Sequence, residues 1–238
     1  EKVKQIGKLF VRDRLKLFFD DGEPYYETGL FANALDEELP ADGVVVGAGK
    51  IDGRIVFFAA NDFTVKAGSI GRKHGEKLLR IQEAAMRGRR PILYLIDSSG
   101  ARIDETGGYH VERYSGGKLF YNHSVMSGLI PQIGVLYGPC FAGTAYIPVF
   151  CDFVIMVDKI SGMAIASPRM VKMVTGEDVT VEELGGARMH ATQSGSIDFV
   201  AESEEEAAQI VKQLLSYLPD SYDGEIPRQP SREPSRDP

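Results

Sequence analysis

Residues 138–148, GPCFAGTAYIP, follow the apolar run IGVLY (133–137) and precede VFCDFVIMV (149–157). The chain leaves a strand-like run, is expected to turn at Gly138-Pro139, and then presents a series of small residues before the next apolar segment. Small residues where a strand gives way to a helix let backbone N–H groups come close to a ligand. The first amides of a helix lack internal partners, and its dipole turns the positive end outward. This stretch therefore reads as a strand–turn–helix unit with a candidate oxygen-binding turn.

Working outward, the same alternation recurs. GVVVGAGKIDGRIVFFAAND (43–62) reads as two core strands joined at Asp52-Gly53, a strong short hairpin signal. In the following segment Leu78, Leu79, Ile81, Ala85 and Met86 share one face of a helix that Gly88 ends, and Pro91 opens the strand ILYLID. A helix over 116–128, a strand over 131–138, a helix over 142–152, and strands at FVIMVD and SGMAIAS follow. Strand, loop and helix recur about every 40 residues, which describes stacked turns that are each too small to hold a core alone. Further on come a helix with Met170 and Val174, one opened by Thr180 with Glu183 at capping-box spacing, a strand near SIDFVA and the helix 203–218. The opening GKLFVRDRLKLFFDDG (7–22) spaces Leu9, Val11, Leu15, Phe18 and Phe19 as an amphipathic helix ending at Asp21-Gly22.

The fold class expected is α/β, with one domain over 1–218. From Pro219 the composition turns proline-rich and polar, so 219–238 is expected to be a linker or tail leading to a C-terminal domain absent from this chain. With 238 residues, 43% of them hydrophobic, the chain can bury one full core. Its net charge of -7 shows no concentrated basic footprint for nucleic acid. The two cysteines, Cys140 and Cys151, form no CxxC pair and no histidine stands at ligand spacing, so free thiols and no metal site are expected. With no long apolar run and no secretory signal in EKVKQIGK, the expected location is the cytoplasm. The missing initial Met suggests that the native start and any transit peptide were left out, which for a eukaryotic chain would mean the mitochondrial matrix.

Two strand exits share one grammar: ILYLIDSSGARIDE (92–105) and IGVLYGPCFAGTAYIP (133–148). Taken singly, each is better explained by tight helix–sheet packing. Facing each other, they would form an oxyanion hole, in which each prearranged donor is worth about 3 kcal/mol of barrier.

The second exit, continued through VFCDFVIMVDKISGMAIASPRMV, together with DSSGARIDE upstream, resembles the N-terminal domain of the carboxyltransferase (β) subunit of biotin-dependent acyl-CoA carboxylases, the propionyl-CoA and methylcrotonyl-CoA carboxylase family. VTGEDVTVEELGGARMHATQSGSIDFVAESEEEA and LLSYLP resemble that family's later landmarks, so the likeness runs over about residues 1–220. The family is similar to the crotonases, which implies a superhelix of β-β-α turns binding a CoA thioester with its carbonyl between two backbone amides. On this sequence Gly100-Ala101 match one side of that hole and Ala142-Gly143 the other. The implied activity moves a carboxyl group from carboxybiotin to the α-carbon of an acyl-CoA. The implied partners are a biotin carrier with its biotin carboxylase (α) subunit and further copies of this chain in a trimer or hexamer. Biotin would enter from the C-terminal domain of another subunit and would itself take the proton.

Ala142-Gly143 stands where the family usually has Gly-Gly, and Thr144 where an Ala often follows. Only backbone donors are needed there, so these departures bear on the acyl group rather than the chemistry. Crotonase-type hydratases place glutamates where this chain has Tyr146 and Arg169, and without carboxylates water addition lacks its acid and base. AANDFTVKAGS (59–69) resembles the family loop along CoA, making Phe63, Lys66 and Arg72 candidates for the adenine or phosphates. Asp97 and Arg102 are expected to pair and hold the first turn, GGYHVERYSGG (107–117) to form a lid near biotin, ESEEEA to be the acidic first turn of a helix, and the four histidines to be ordinary surface or packing. Two other readings stand beside this one: a biotin-dependent acyl-CoA decarboxylase subunit using the same site in reverse, and a non-catalytic CoA-binding assembly module.

Overall fold

The computed structural model describes residues 3, 6–105, 116–228 and 230. The hairpin β2 (Val44–Ile51) and β3 (Arg54–Asn61) forms as expected, with Asp52 at φ 49° and Gly53 at φ 77° in a two-residue turn. The Asp20 carboxylate accepts both turn amides at 2.8 Å. A short strand β1 (Tyr26–Thr28) lies antiparallel on the outer edge of β2. From β3 onward the pairing is parallel, through β4 (Ile92–Ser98), β5 (Gln132–Phe141), β6 (Phe153–Val157) and β8 (Phe199–Ala201), while β7 (Gly162–Ala164) pairs with the far end of β5. The result is one eight-stranded sheet with helices on both faces.

Residue alternation along the central strands decides which layer each side chain enters. Ile92, Tyr94 and Ile96 of β4 face one core with Leu78, Ile81 and Ala85 of α2 (Arg72–Gly88) and Leu119 and Met126 of α3 (Gly116–Met126). Leu93 and Leu95 face the other, with Leu15 of α1 (Val11–Lys16) and Ala207, Ala208, Val211 and Leu215 of α8 (Glu204–Tyr217). Both faces of β4 are buried, which is why it reads as an unbroken apolar run.

Three local expectations are corrected. α1 covers only Val11–Lys16, and turns carry the chain on to Gly22, although Leu15, Phe18 and Phe19 are buried as foreseen. α2 includes Gly88, and Arg89 takes the left-handed position at φ 48°. Gly88 is bare because a Cβ there would stand 3.2 Å from the Phe57 ring. The helix expected over 142–152 is a 3-10 turn, Ala142–Ala145, followed by α4 (Tyr146–Val149).

Later elements follow the sequence reading. α5 (Pro168–Thr175) is present, with Met170, Met173 and Val174 exposed. Thr180 and Glu183 close a capping box on α6 (Val181–Gly185), and α7 (Ala187–Met189) follows. The linker expected from Pro219 starts later than foreseen: beyond α8 the chain stays against the body as far as Gly224, where Asp220 pairs with Arg54 at 2.8 Å and the Tyr222 amide donates to the Leu129 carbonyl. Among the described residues no helix is long and apolar enough to cross a membrane.

Candidate functional site

The site lies where β4 and β5 run past the main sheet. Their register slips between Ile96 and Ser98, after which Ser98 pairs with Cys140, while Pro139–Phe141 pair with β7. Ile70 bridges to Ala101 and Gly162 to Gly186. These pairings carry the sheet past its main strands and tie its end to the neighbouring loops. They also move the turn: β5 continues through Gly138-Pro139 to Phe141, because β7 supplies a parallel partner there, and the chain turns at Ala142, φ 54°. Gly138 is bare for another reason. A Cβ on it would lie 2.0 Å from Asp97 Oδ1 and 2.2 Å from Lys8 Nζ, so its missing side chain makes room for a buried ion pair.

The two turns meet. A Cβ on Gly100, which sits at φ +113°, would be 3.2 Å from the Phe141 carbonyl oxygen and 3.4 Å from the Ala142 Cβ. In the first turn the Ile70 amide donates to Gly100 O and the Arg102 amide to Ile70 O, both at 2.9 Å, and the Gly100 amide points to Ser98 Oγ at 3.3 Å. The Ala101 N–H takes no part in that ladder. In the second turn Gly143 stands at the start of the 3-10 segment, where amides have no internal acceptor, and nothing lies within 4 Å of its Cβ direction. Ala101 and Gly143 line one cavity of about 40 Å³ with Ile70, Gly116, Leu119, Phe120, Thr144 and Ile147. None of these lining residues is titratable.

Different chemistry braces each turn. Asp97, the last buried residue before the first turn, accepts from Lys8 Nζ at 2.8 Å and lies 3.7 Å from Arg14, which itself binds Glu204 at 2.5 Å. Burial raises the Asp97 pKa, and Lys8 and Arg14 act against that rise. The expected Asp97–Arg102 pair does not form. Arg102 instead binds Asp42 at 2.7 Å and Glu105 at 2.6 Å. Glu204 departs from its expected place in a solvated acidic first turn, since it is buried against Arg14 and caps the Leu9 amide. The second turn is held by short-range bonds: Thr144 Oγ1 donates to Phe141 O at 2.6 Å, and Cys140 Sγ to Thr144 O at 3.3 Å. Burial pushes the Cys140 thiol up to about 12, and both cysteines are free.

The other candidate residues separate. Phe63 and Lys66 line a groove of about 300 Å³ with Val3, Ile6, Thr64 and Ala67, and Lys8 Nζ stands 4.3 Å over the Phe63 ring. That loop is sewn to the first turn, with the Ser99 amide donating to Ala67 O at 3.1 Å. Lys66 is exposed and paired with Glu38 at 2.8 Å. Arg72 lies outside both cavity and groove: its side chain is exposed and 3.6 Å from Glu76, while its amide is capped by Glu105. His74 and His123 are buried packing residues, His190 binds the Met163 carbonyl, and His110 lies outside the described residues. Most of the suggested lid, 107–115, also lies outside them, and Gly116 and Gly117 begin α3. Tyr146 packs edge-on against Phe120 with ring centroids 5.4 Å apart, and Arg169 sits in the first turn of α5.

Lys8, Arg14 and Glu204 were not foreseen. Each is an ordinary charge in its own helical or loop context, and 190 residues separate Arg14 from Glu204.

A mostly parallel sheet whose strand ends carry two adjoining turns is the crotonase-like class of α/β fold. Within that class, the chain belongs to the carboxyl transferase domain family, which it matches over residues 2–238. It is 51% identical over 231 residues to the uncharacterized carboxylase YngE of Bacillus subtilis (strain 168), covering 97% of this chain and 45% of that protein. It is 41% identical to the biotin-dependent acetyl-/propionyl-coenzyme A carboxylase beta5 subunit of Mycobacterium tuberculosis (strain ATCC 25618 / H37Rv), with 99% of this chain and 43% of that one covered. A solved transcarboxylase 12S structure, a hexamer with methylmalonyl-coenzyme A bound, superposes with a TM-score of 0.85 at 41% identity, over 94% of this chain and 44% of that one. The chain thus spans less than half the length of these relatives.

Proposed function

We propose that this chain is the acyl-CoA-binding half of a carboxyltransferase that moves a carboxyl group between carboxybiotin and the α-carbon of an acyl-CoA. The observation that carries this reading is the approach of Gly100 to Phe141–Ala142, with Ala101 and Gly143 both lining one apolar cavity. Two fixed donors at one thioester oxygen stabilise the negative charge that develops as the α-carbon loses its proton. Among the described residues no acid or base lines the cavity, in keeping with a proton acceptor brought in from outside it. Carboxybiotin, once it has released CO2, supplies that base when bound. This chain's residues bind the thioester and hold its oxygen.

Residues 1–218 are read as this domain, and 219–238 as the lead into a second domain that presents biotin. The chain's span of under half its relatives is in keeping with a second domain, while the family match runs on to residue 238 and Asp220 and Tyr222 still pack against the body. The groove beside Phe63 and Lys66 is the path for the nucleotide end of CoA, where a phosphate would compete with Glu38 for Lys66. A biotin carrier and further copies of the chain complete the enzyme in the cytoplasm.

Isothermal titration with CoA and propionyl-CoA tests the binding half. Heat at sub-millimolar ligand is expected, and none at millimolar ligand would contradict the reading. In the full-length enzyme Gly143→Pro deletes one donor and lowers carboxylation by about 100-fold or more. Unchanged turnover would remove the second turn from the mechanism.

A further inference from the structure

Where β4 and β5 approach the two turns, their pairing breaks step. Between the paired steps Ile96–Leu136 and Ser98–Cys140, β4 spends only Asp97 while β5 spends Tyr137, Gly138 and Pro139. Irregularities of this kind re-aim the chain beside functional sites, and this one sets how far each strand has run when it reaches its turn. The N-terminal segment grips the slip from both strands. Lys8 Nζ donates to Asp97 Oδ1 at 2.8 Å, both residues are buried, and the space a Gly138 side chain would need is given over to them. Arg14 lies 3.7 Å from Asp97 Oδ2 with its guanidinium 4.2 Å over the Tyr137 ring, and is tied in turn to Glu204 of α8.

We propose that the Lys8–Asp97 ion pair is the spacer that holds the two turns in register, which makes Lys8 a positioning residue for the thioester oxygen although it does not line the cavity. The inference rests on the acyl-CoA reading above and adds a group to the same site. Two donors serve one oxygen only if both stand within hydrogen-bond reach of it, and a displacement of about 1 Å can cost about 100-fold in rate. Without the Lys8 ammonium, Asp97 has no partner on its Gly138 side, and the three β5 residues of the slip lose what they close around. Arg14 does not take over, because its guanidinium is committed to Glu204 and stacked on Tyr137.

The test pairs kinetics of the full-length protein and its biotinylated carrier with backbone amide NMR of this chain. Lys8→Met should lower kcat for propionyl-CoA by about 10- to 100-fold with KM little changed, and should move the Ala101 and Gly143 amide resonances of the free protein. Gly138→Ala keeps both charges but drives a Cβ between them, so it should lower kcat in the same way. Lys8→Arg keeps a cation opposite Asp97 and should retain more of kcat than Lys8→Met. A brace for stability alone predicts a lower melting temperature, with kcat and both amides as in the wild type while the variant stays folded. Either an unchanged kcat or unmoved amides in a folded variant overturns the inference. If Lys8→Met does not fold, Gly138→Ala and Lys8→Arg decide by the same readings. The acyl-CoA reading fails separately. Amides that move in the variant, when the wild type carboxylates no thioester, support the spacer and sink carboxyl transfer, whereas wild-type turnover that a folded variant keeps does the reverse.

Discussion

The two turns look alike in sequence and are supported in opposite ways. The first, Ser98–Arg102, hangs on charges: Asp97 with Lys8 and Arg14 on one side, Arg102 with Asp42 and Glu105 on the other. Lys8 and Arg14 come from the N-terminal segment and Asp42 from just before β2, while Glu105 lies three residues from Arg102. The second, Phe141–Ala145, is self-contained, held by Thr144 and Cys140 through bonds spanning three or four residues. A turn braced by distant buried charges is sensitive to any one of them, whereas a turn braced locally loses one modest bond at a time. The contrast places the molecule's fragility at the first turn.

That contrast is most directly broken at Asp97. Asp97→Ala strands Lys8 and Arg14 without their shared carboxylate, both being buried. Losing one partner of a buried charge cluster costs about 3 to 5 kcal/mol, which urea unfolding of the variant should show. Acid should act next. Burial holds His74 down at about 3 and His123 at about 4, so both stay neutral in the fold while the unfolded chain protonates near 6.5. The unfolded state therefore binds more protons below pH 6.5, and stability falls as pH drops from about 6.5 toward 4, by on the order of 2 to 3 kcal/mol for each histidine. Melting temperature followed across that window checks the sign, and His123→Gln should flatten the fall.

The local turn should respond more weakly. Thr144→Ala removes one buried hydroxyl bond, a loss of about 1 kcal/mol, with the acyl-CoA Kd little changed. A drop as large as that of Asp97→Ala would erase the distinction between the turns. Ala142→Gly relieves a non-glycine residue at φ 54° and should be neutral or stabilising by up to about 1 kcal/mol.

The legible parts of the fold were those decided by neighbours in sequence. The Asp52-Gly53 hairpin, the Thr180–Glu183 capping box and the unbroken apolar run of β4 each need only a few adjacent residues. The pairing of the two turns came from recognising their order along the chain. What stayed hidden was long-range. Nothing near Asp97 announces that its partner is Lys8 rather than Arg102, and nothing near Glu204 announces Arg14. Gly138 shows the same limit. Its bareness read as a turn, whereas the cause is an ion pair whose members lie 41 and 130 residues away, Asp97 and Lys8. β5 runs on to Phe141 only because β7, which follows it in the chain, offers a partner.

The central claim is that the Ala101 and Gly143 amides grip a thioester oxygen. Backbone amide NMR of this chain, titrated with propionyl-CoA and separately with CoA, reads it directly. The account predicts that both amide protons move downfield at saturation with the thioester and stay near their free positions with CoA, which has no carbonyl at that point. Thioester binding that shifts the Phe63–Ala67 groove but leaves Ala101 and Gly143 unmoved would contradict it.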